Sequence, residues 1–249
     1  MTPALQALQR DDSRNPAQLW IEEGRALWSR PIQVSNLPAT HSTTRSGDTP
    51  ATIAAMASVS GGGRACVDCH APGSEPGIAA RYPAFDASTN RPISLAGRID
   101  QCRQRHQQAE PQGPDGAEVL ALSAYLAQAS RGLPWQPPDD ARMAPWSARG
   151  EQLWRQRMGQ LNLSCTQCHD QNAGARLGGA AIPQAHPTGY PTYRLEWQAL
   201  GSLPRRLRGC LIGVRAEPFA PQADEWIALE VYLSRRATGM LLEGPAVRP

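Results

Sequence analysis

The sequence has 249 residues, enough for one large domain or for two domains of roughly 100 to 125 residues that could each enclose a cofactor. The formal net charge is +3 and all 25 basic residues are arginine, without a clustered basic arm, so the composition gives no indication of a nucleic-acid-binding protein. No run of 18 apolar residues is present, which excludes a membrane-spanning helix, and no signal peptide is apparent.

The first part of the chain is predicted to contain one helix and one long loop. A polar stretch of about 17 residues comes first, and we interpret it as an arm or as the start of a helix. Apolar side chains with helical spacing follow from Leu19 to Trp28, and Pro31 ends this predicted helix. Residues 31–63 are rich in Ser, Thr, Pro and Gly, which is typical of a loop.

Two C-x-x-C-H motifs follow, at positions 66–70 and 165–169. In this motif two thiols bond covalently to a haem and the histidine becomes an axial iron ligand. Two copies favour a c-type dihaem protein over a zinc or a disulfide protein. We therefore expect two covalently bound haem c groups, with attachment residues Cys66, Cys69, Cys165 and Cys168 and axial ligands His70 and His169. Because bacterial cytochrome c matures outside the cytoplasm, we expect a periplasmic protein whose signal peptide has been removed.

The sequence downstream of the two motifs repeats. Tyr82 precedes Cys102 by the same 20 positions by which Tyr190 precedes Cys210, and similar apolar segments and a glycine follow in each half. The fold class predicted from this pattern is all-α, with two tandem class I cytochrome c-like domains related by an internal repeat. A proline-rich linker divides them near residue 136, because proline cannot continue a helix.

The predicted domains are therefore residues 1–136, which bind the first haem, and residues 137–249, which bind the second. Cys102 and Cys210 occupy equivalent positions, in the loop where an ordinary cytochrome c domain supplies a methionine as the second axial ligand. No methionine and no histidine of these loops, His106 and His186 included, occurs at equivalent positions in both halves.

We predict that Cys102 and Cys210 are the second axial ligands, and arginines near each cysteine would favour the thiolate form. Two alternatives stay open at this point. The cysteines could form a Cys102–Cys210 disulfide, which is common in exported proteins, or one could be a ligand and the other a free reactive thiol.

The second half is the better candidate for chemistry. Gly209 stands beside Cys210, where the first half has Gln101, and a glycine allows another molecule to approach closely. Arg206 precedes Cys210 by four residues, and Arg236 has no basic counterpart in the first half. We predict Cys210, Arg206 and Arg236 as catalytic residues acting on an anionic sulfur compound, since a guanidinium suits an array of oxygens.

The sequence from about residue 19 to the end resembles the SoxA family, the dihaem subunit of the SoxAX cytochrome complex of bacterial thiosulfate oxidation. Besides the two haem motifs, the resemblance depends on the segments 98–103, 189–195, 206–210, 214–215 and 243–248. It implies that His70 and Cys102 bind one iron and that His169 and Cys210 bind the other. In relatives the cysteine equivalent to Cys210 can carry a persulfide sulfur, with the arginine equivalent to Arg206 beside it.

The resemblance also implies the activity of an L-cysteine S-thiosulfotransferase. Thiosulfate would be joined oxidatively to a cysteine of a SoxYZ-like carrier protein, and two electrons would leave through a SoxX-like monohaem cytochrome c, the partner in a heterodimer, to a soluble cytochrome c. Two other functions are weighed against it. A dihaem thiosulfate dehydrogenase would form tetrathionate without a carrier, and in a non-catalytic electron-transfer subunit both cysteines would be ligands only.

Overall fold

The computed structural model describes residues 2–31 and 63–249, so that most of the predicted loop at 31–63 lies outside the described residues. Within these ranges the chain forms eight α-helices: α1 (Pro3–Arg10), α2 (Gln18–Ser29), α3 (Leu95–Gln107), α4 (Ala117–Ala129), α5 (Ala144–Arg155), α6 (Cys165–His169), α7 (Leu203–Gly213) and α8 (Asp224–Arg236). The same ranges contain seven short strands: β1 (Ala84–Asp86), β2 (Arg91–Ile93), β3 (Arg176–Leu177), β4 (Ala180–Ala181), β5 (Thr192–Arg194), β6 (Ala199–Gly201) and β7 (Ala246–Arg248). The prediction of an all-α fold is wrong in this respect, because strands of two or three residues are too short to show an alternating pattern.

The N-terminal helices follow the sequence pattern only in part. Helix α2 buries Ile21, Leu27 and Trp28 on one face and ends before Pro31, as predicted. The polar start of the chain forms α1, which buries none of its own side chains. It nevertheless contacts β7, where the side-chain oxygen of Gln9 accepts a hydrogen bond of 3.2 Å from the backbone N–H of Val247.

Two helix pairs form the main packing contacts and resemble each other closely. Helix α2 packs against α4, and α5 packs against α8. A glycine lies at each crossing: a Cβ on Gly24 would lie 2.1 Å from the carbonyl oxygen of Ala121, and a Cβ on Gly150 would lie 2.1 Å from that of Ala228. Only glycine allows two helix backbones to approach this closely.

Short β-hairpins lead into the helices that carry the two remaining cysteines. The antiparallel pair β1–β2 precedes α3, and the antiparallel pair β5–β6 precedes α7, with β7 added parallel to β5. Each helix begins at a serine cap: Ser94 accepts a hydrogen bond from Gly97 N–H at 3.1 Å, and Ser202 accepts one from Arg205 N–H at 3.2 Å. These caps fix where α3 and α7 start, and hence where Cys102 and Cys210 lie.

The segments after α4 and α8 pair with each other in a symmetric way. Gly132 N–H donates to the carbonyl of Leu242 at 2.9 Å, and Gly239 N–H donates to that of Trp135 at 2.9 Å. Two further bonds, Trp135 N–H to the carbonyl of Met240 and Leu242 N–H to that of Leu133, are related in the same way. Shifting each residue by 107 positions exchanges the two bonds of each pair, so the pairing of these two segments has approximate two-fold symmetry. In the described part of the chain, no helix has the length and apolar character needed to cross a membrane.

Candidate functional site

The second C-x-x-C-H motif forms the single turn of α6. Ser164 is its N-cap residue, and the Ser164 backbone N–H donates to the side-chain oxygen of Gln167 at 2.9 Å. Cys165 and Cys168 are both half-buried, and neither forms a disulfide. Burial raises the pKa of the Cys165 thiol to about 12, and the neighbouring Cys210 adds to this rise. The motif cysteines and Cys210 therefore lie together.

The ring of His169 is held by two neighbours. Its Nδ1 atom lies 2.7 Å from the carbonyl oxygen of Pro183, and the ring of Trp154 lies against it with centroids 5.6 Å apart. Because a carbonyl can only accept a hydrogen bond, Nδ1 carries the proton and Nε2 is free to bind a metal. Burial lowers the pKa of His169, with further lowering from Arg206 and Arg236, so the neutral ligand form is favoured.

A second group of side chains surrounds His169. Asp170 accepts a hydrogen bond from Trp154 Nε1 at 2.8 Å and forms an ion pair of 2.7 Å with Arg236. The guanidinium of Arg236 also lies over the Trp154 ring, 4.6 Å from its centroid. Arg236 thus lies beside His169, and one of its nitrogens is engaged by Asp170. Its role in binding a substrate stays a prediction.

Helix α7 presents Cys210 and Arg206 on the same face, one helical turn apart. Both side chains are half-buried, and within the described ranges Arg206 has no carboxylate partner. Gly209 is exposed, and no described atom lies within 4 Å of the place that a Cβ would occupy there. The structure thus places a thiol and an unpaired guanidinium on one face of α7, with an exposed glycine next to the thiol in sequence.

The first half brings the corresponding residues together, but fewer contacts hold its histidine, His70, than hold His169. Cys66 begins a short 3-10 helix, and His70 is exposed and lies against Trp28, with ring centroids 5.1 Å apart. Burial raises the pKa of the Cys66 thiol, and that of Cys102 is also raised by burial, against an opposing effect of Arg98. Arg98 and Arg105 thus favour the Cys102 thiolate, as expected of nearby arginines, but burial outweighs their effect on the pKa.

The two arginines that precede these cysteines differ in their partners. Arg98 forms an ion pair of 3.2 Å with the buried Asp86, which also accepts a hydrogen bond of 3.0 Å from Gln101. The position equivalent to Asp86 in the second half is Arg194, so Arg206 has no such carboxylate. A guanidinium without an internal partner is the one that can bind an external anion.

The alternative of a Cys102–Cys210 disulfide is not adopted, because all six cysteines are free and each of the two lies beside its own motif. His106 is exposed at the end of α3, whereas His186 is half-buried near Arg236. Among residues 2–31 and 63–249, no group of three or more His, Cys, Asp or Glu side chains could hold a bare metal ion. The donors present instead suit haem c: paired thiols, an imidazole with a free Nε2 and a third sulfur.

Sequence reasoning missed Asp170, Trp154 and Pro183 around the second histidine. A signal for Asp170 was available, since the second half has both Asp170 and Arg236 where the first half has alanine. Two changes at separate positions of a repeat, one acidic and one basic, indicate an ion pair. Pro183 could not have been found, because it acts through its backbone carbonyl.

Comparison with known proteins gives one consistent family. The family model for the SoxA/TsdA cytochrome c domain matches residues 56–135 and 149–242. The L-cysteine S-thiosulfotransferase subunit SoxA of Pseudaminobacter salicylatoxidans is 33% identical over 96% of the chain and 76% of that protein. The protein of the same name from Rhodovulum sulfidophilum is 30% identical over 99% of the chain and 77% of that protein.

Among solved structures, the crystal structure of SoxXA from P. pantotrophus covers the whole chain and 84% of the matched chain. The TM-score is 0.83 and the sequence identity is 27%. A match to a cytochrome c domain over both motifs implies covalently bound haem c, in agreement with the donors described above.

Proposed function

Because this chain belongs to the SoxA/TsdA cytochrome c domain family, we propose that it catalyses the oxidative conjugation of thiosulfate to a cysteine of a SoxYZ-like carrier protein. The names of its relatives support the activity of an L-cysteine S-thiosulfotransferase. The observation that carries the proposal is the arrangement on α7: Cys210 follows the exposed Gly209, and Arg206 is unpaired one turn before Cys210.

The reaction forms one S–S bond, between the outer sulfur of thiosulfate and the carrier cysteine. The carrier thiol loses its proton, and two electrons leave. Arg206 binds the sulfonate oxygens, because its guanidinium forms paired, charge-assisted hydrogen bonds. The outer sulfur of thiosulfate first bonds to the Cys210 thiolate with loss of the two electrons. The carrier thiolate then attacks that sulfur, and the Cys210 thiolate is the leaving group. The open face at Gly209 admits the carrier cysteine.

Two haem c groups are part of this proposal. Cys66 and Cys69 would attach one and Cys165 and Cys168 the other. The axial ligand pairs would be His70 with Cys102 and His169 with Cys210. Haem c supplies one-electron acceptance when bound, and a thiolate ligand stabilises ferric iron. The hydrogen bond from His169 Nδ1 to Pro183 fixes the ring for this role, as outer partners of ligating histidines do.

The finer organisation of the chain is proposed as well. Residues 1–136 and 137–249 would be two copies of one cytochrome c domain, and the equivalent glycine crossings and the symmetric pairing between the halves support this division. A SoxX-like monohaem cytochrome c would be the partner in a heterodimer, since the matched solved structure is that of a SoxXA protein. The electrons would pass to a soluble cytochrome c in the periplasm.

The test uses the purified haem-containing protein with its monohaem partner, thiosulfate, oxidised cytochrome c and a carrier with one cysteine. Mass spectrometry of the carrier measures conjugation. Arg206→Gln should lower kcat/KM by about 10- to 100-fold, because a hydrogen bond to a charged group contributes roughly 1.5–3 kcal/mol. The matched control is Arg208→Gln, which removes the same charge from an exposed position of the same helix and should change kcat/KM by less than about threefold.

Equal losses in the two variants would contradict the role of Arg206. Rapid tetrathionate formation without the carrier would favour a thiosulfate dehydrogenase instead. Full conjugation activity in Cys210→Met with haem retained would favour an electron-transfer subunit.

A further inference from the structure

The first half shows how a hairpin and the cysteine helix that follows it can hold an anion. The carboxylate of Asp86, at the end of β1, is buried and forms an ion pair of 3.2 Å with Arg98 of α3. It also accepts a hydrogen bond of 3.0 Å from Gln101 Nε2. Arg98 lies one helical turn before Cys102. In this half, the protein itself therefore supplies the anion that the arginine binds.

The second half repeats this framework with the charge of one residue reversed. The hairpin β5–β6 has the same antiparallel register as β1–β2 and leads into α7 through an equivalent serine cap. Arg194 ends β5 as Asp86 ends β1. Arg194 follows Asp86 by 108 positions, the same interval that separates Arg206 from Arg98. The backbone thus places Arg194 next to α7 where it places Asp86 next to α3.

The side chain of Arg194 is held in place, but part of its guanidinium stays available. The side chain is only 14% exposed, and its Nε donates to Glu196 at 2.7 Å. Its Cζ lies 5.3 Å from the ring centroid of Trp197, and Arg205 of α7 lies over the same ring at 4.3 Å. Neither Nη1 nor Nη2 of Arg194 has a hydrogen-bond partner among the described residues.

Arg194 and Arg206 also share a neighbour. Burial raises the pKa of Tyr190 to about 12, and both arginines oppose this rise, so both guanidinium groups lie near its phenol. Together with the shared ring contact of Trp197, this places Arg194 beside the first turns of α7.

The reversal changes the charge of this place from neutral to strongly positive. Asp86 and Arg98 cancel each other, whereas Arg194 and Arg206 are both cations, and Arg206 has no carboxylate partner within the described ranges. The side chain of Glu196 is 50% exposed, so solvent screens its compensation of Arg194. Two cations attract a dianion more strongly than a monoanion. Thiosulfate is a dianion at neutral pH, and its sulfonate oxygens suit the paired hydrogen bonds of a guanidinium.

We propose that Arg194 is the second arginine of the anion site beside Cys210 and binds the sulfonate group of thiosulfate together with Arg206. The substrate dianion takes the place that the Asp86 carboxylate has in the first half. The inference rests on the proposed function, whose substrate it assigns to a pair of arginines. The conjugated product carries one negative charge fewer than thiosulfate, so the same pair holds it less tightly and favours its release.

The test measures the equilibrium binding of sulfate by calorimetry, with the haem-containing protein and its monohaem partner. Sulfate is a dianion with similar oxygens but lacks the outer sulfur that reacts. In Arg194→Gln the Kd for sulfate should rise about tenfold or more, because charge-assisted hydrogen bonds are lost. The matched control Arg235→Gln removes the same charge from an exposed position of the same half and should change the Kd by less than about threefold. No sulfate binding by the wild type, or equal losses in the two variants, overturns the inference.

Arg194→Asp is the sharper variant, because it copies the arrangement of the first half. The new carboxylate should pair with Arg206 as Asp86 pairs with Arg98, so the protein should fold and retain haem while sulfate binding falls about 100-fold or more. Arg194→Lys keeps the charge without the planar fork and should bind sulfate more tightly than Arg194→Gln. A merely structural role would not separate Lys from Gln in this way.

Sulfate binding involves neither the carrier nor electron transfer, so a failure of thiosulfate conjugation would leave this result unaffected. Unchanged sulfate binding in Arg194→Asp would overturn the inference even if conjugation were confirmed.

Discussion

Gly150 offers a direct test of the packing and of the division into two units. An alanine Cβ at this position would lie 2.1 Å from the carbonyl oxygen of Ala228 and 2.6 Å from the Cβ of Tyr232. Both atoms are fixed on α8, so the helices must separate. Overpacking of this kind lowers the free energy of unfolding by roughly 1–3 kcal/mol, and a clash with backbone falls at the upper end of that range. The higher helix propensity of alanine recovers about 1 kcal/mol. Because the contact involves backbone, we expect Gly150→Ala to lower the free energy of unfolding by about 2 kcal/mol.

The equivalent variant in the first half provides the matched comparison. A Cβ on Gly24 meets the carbonyl oxygen of Ala121 at the same 2.1 Å, whereas a Cβ on Gly213 meets no described atom within 4 Å. Urea unfolding of the haem-containing protein measures the loss in each variant, and hydrogen exchange locates it. Gly150→Ala should lower protection in α5 and α8, and Gly24→Ala should lower it in α2 and α4. Gly213→Ala should change neither.

Two results would refute this reasoning. If Gly150→Ala were as stable as the wild type, the close approach of α5 and α8 would be wrong. If each variant lowered protection equally in all four helices, the halves would unfold as one cooperative unit, and two domains divided near residue 136 would be the wrong description.

Three further predictions concern the second half. Gly209→Leu should raise the unfolding free energy by about 0.5–1 kcal/mol through the gain in helix propensity, because no described atom lies near its Cβ position, but should slow carrier conjugation at least tenfold in the mass assay. Asp170→Asn should weaken its coupling to Arg236 by about 1 kcal/mol or less, since the pair is partly exposed, and a double-mutant cycle with Arg236→Gln measures this in urea unfolding. The folded carboxyl of Glu230 keeps its proton up to about pH 8 while the unfolded one loses it near 4.5, so wild-type stability should fall between these pH values by at most about 5 kcal/mol. That part of the pH dependence should be absent in Glu230→Gln, as urea unfolding at several pH values will determine.

The family and the positions of the two sites could be predicted from the sequence because the signals are local. Each haem motif is a run of five residues, and the spacing of the repeat places Cys102 and Cys210 at equivalent positions without knowledge of the fold. Arg206 and Cys210 share a face of α7 because they are four residues apart in a helix. These predictions needed only spacing along the chain.

The features that the sequence did not reveal depend on contacts between distant residues. The ion pair between Arg98 and Asp86 crosses from α3 to β1, and the strands involved have only three residues. Glu230 lines a cavity to which residues of both halves contribute. No property of the surrounding sequence distinguishes it from a glutamate that is exposed to solvent. Such features follow from how the halves pack and not from periodicity.

The difference between the two sites can be traced to a few exchanges on one scaffold. Both halves place a cysteine on a helix after a hairpin and an arginine four residues before it. In the first half Asp86 neutralises that arginine, and Gln101 fills the position beside the cysteine. In the second half the equivalent positions hold Arg194 and Gly209, so Arg206 remains available and no side chain occupies the position next to Cys210.

The two halves also differ around the histidine of the haem motif and at the contact between the halves. Asp170 and Arg236 are added around His169, and Glu230 replaces a serine at the contact between the halves. Each exchange adds a charged group on the second side alone. The first half therefore serves as an internal reference: converting Asp86 to Ala should free Arg98, but without the open position of Gly209 it should not create a second conjugating site. Conjugation in Asp86→Ala that survives the loss of Cys210 would show that an unpaired arginine is sufficient and that the open helix face is not required.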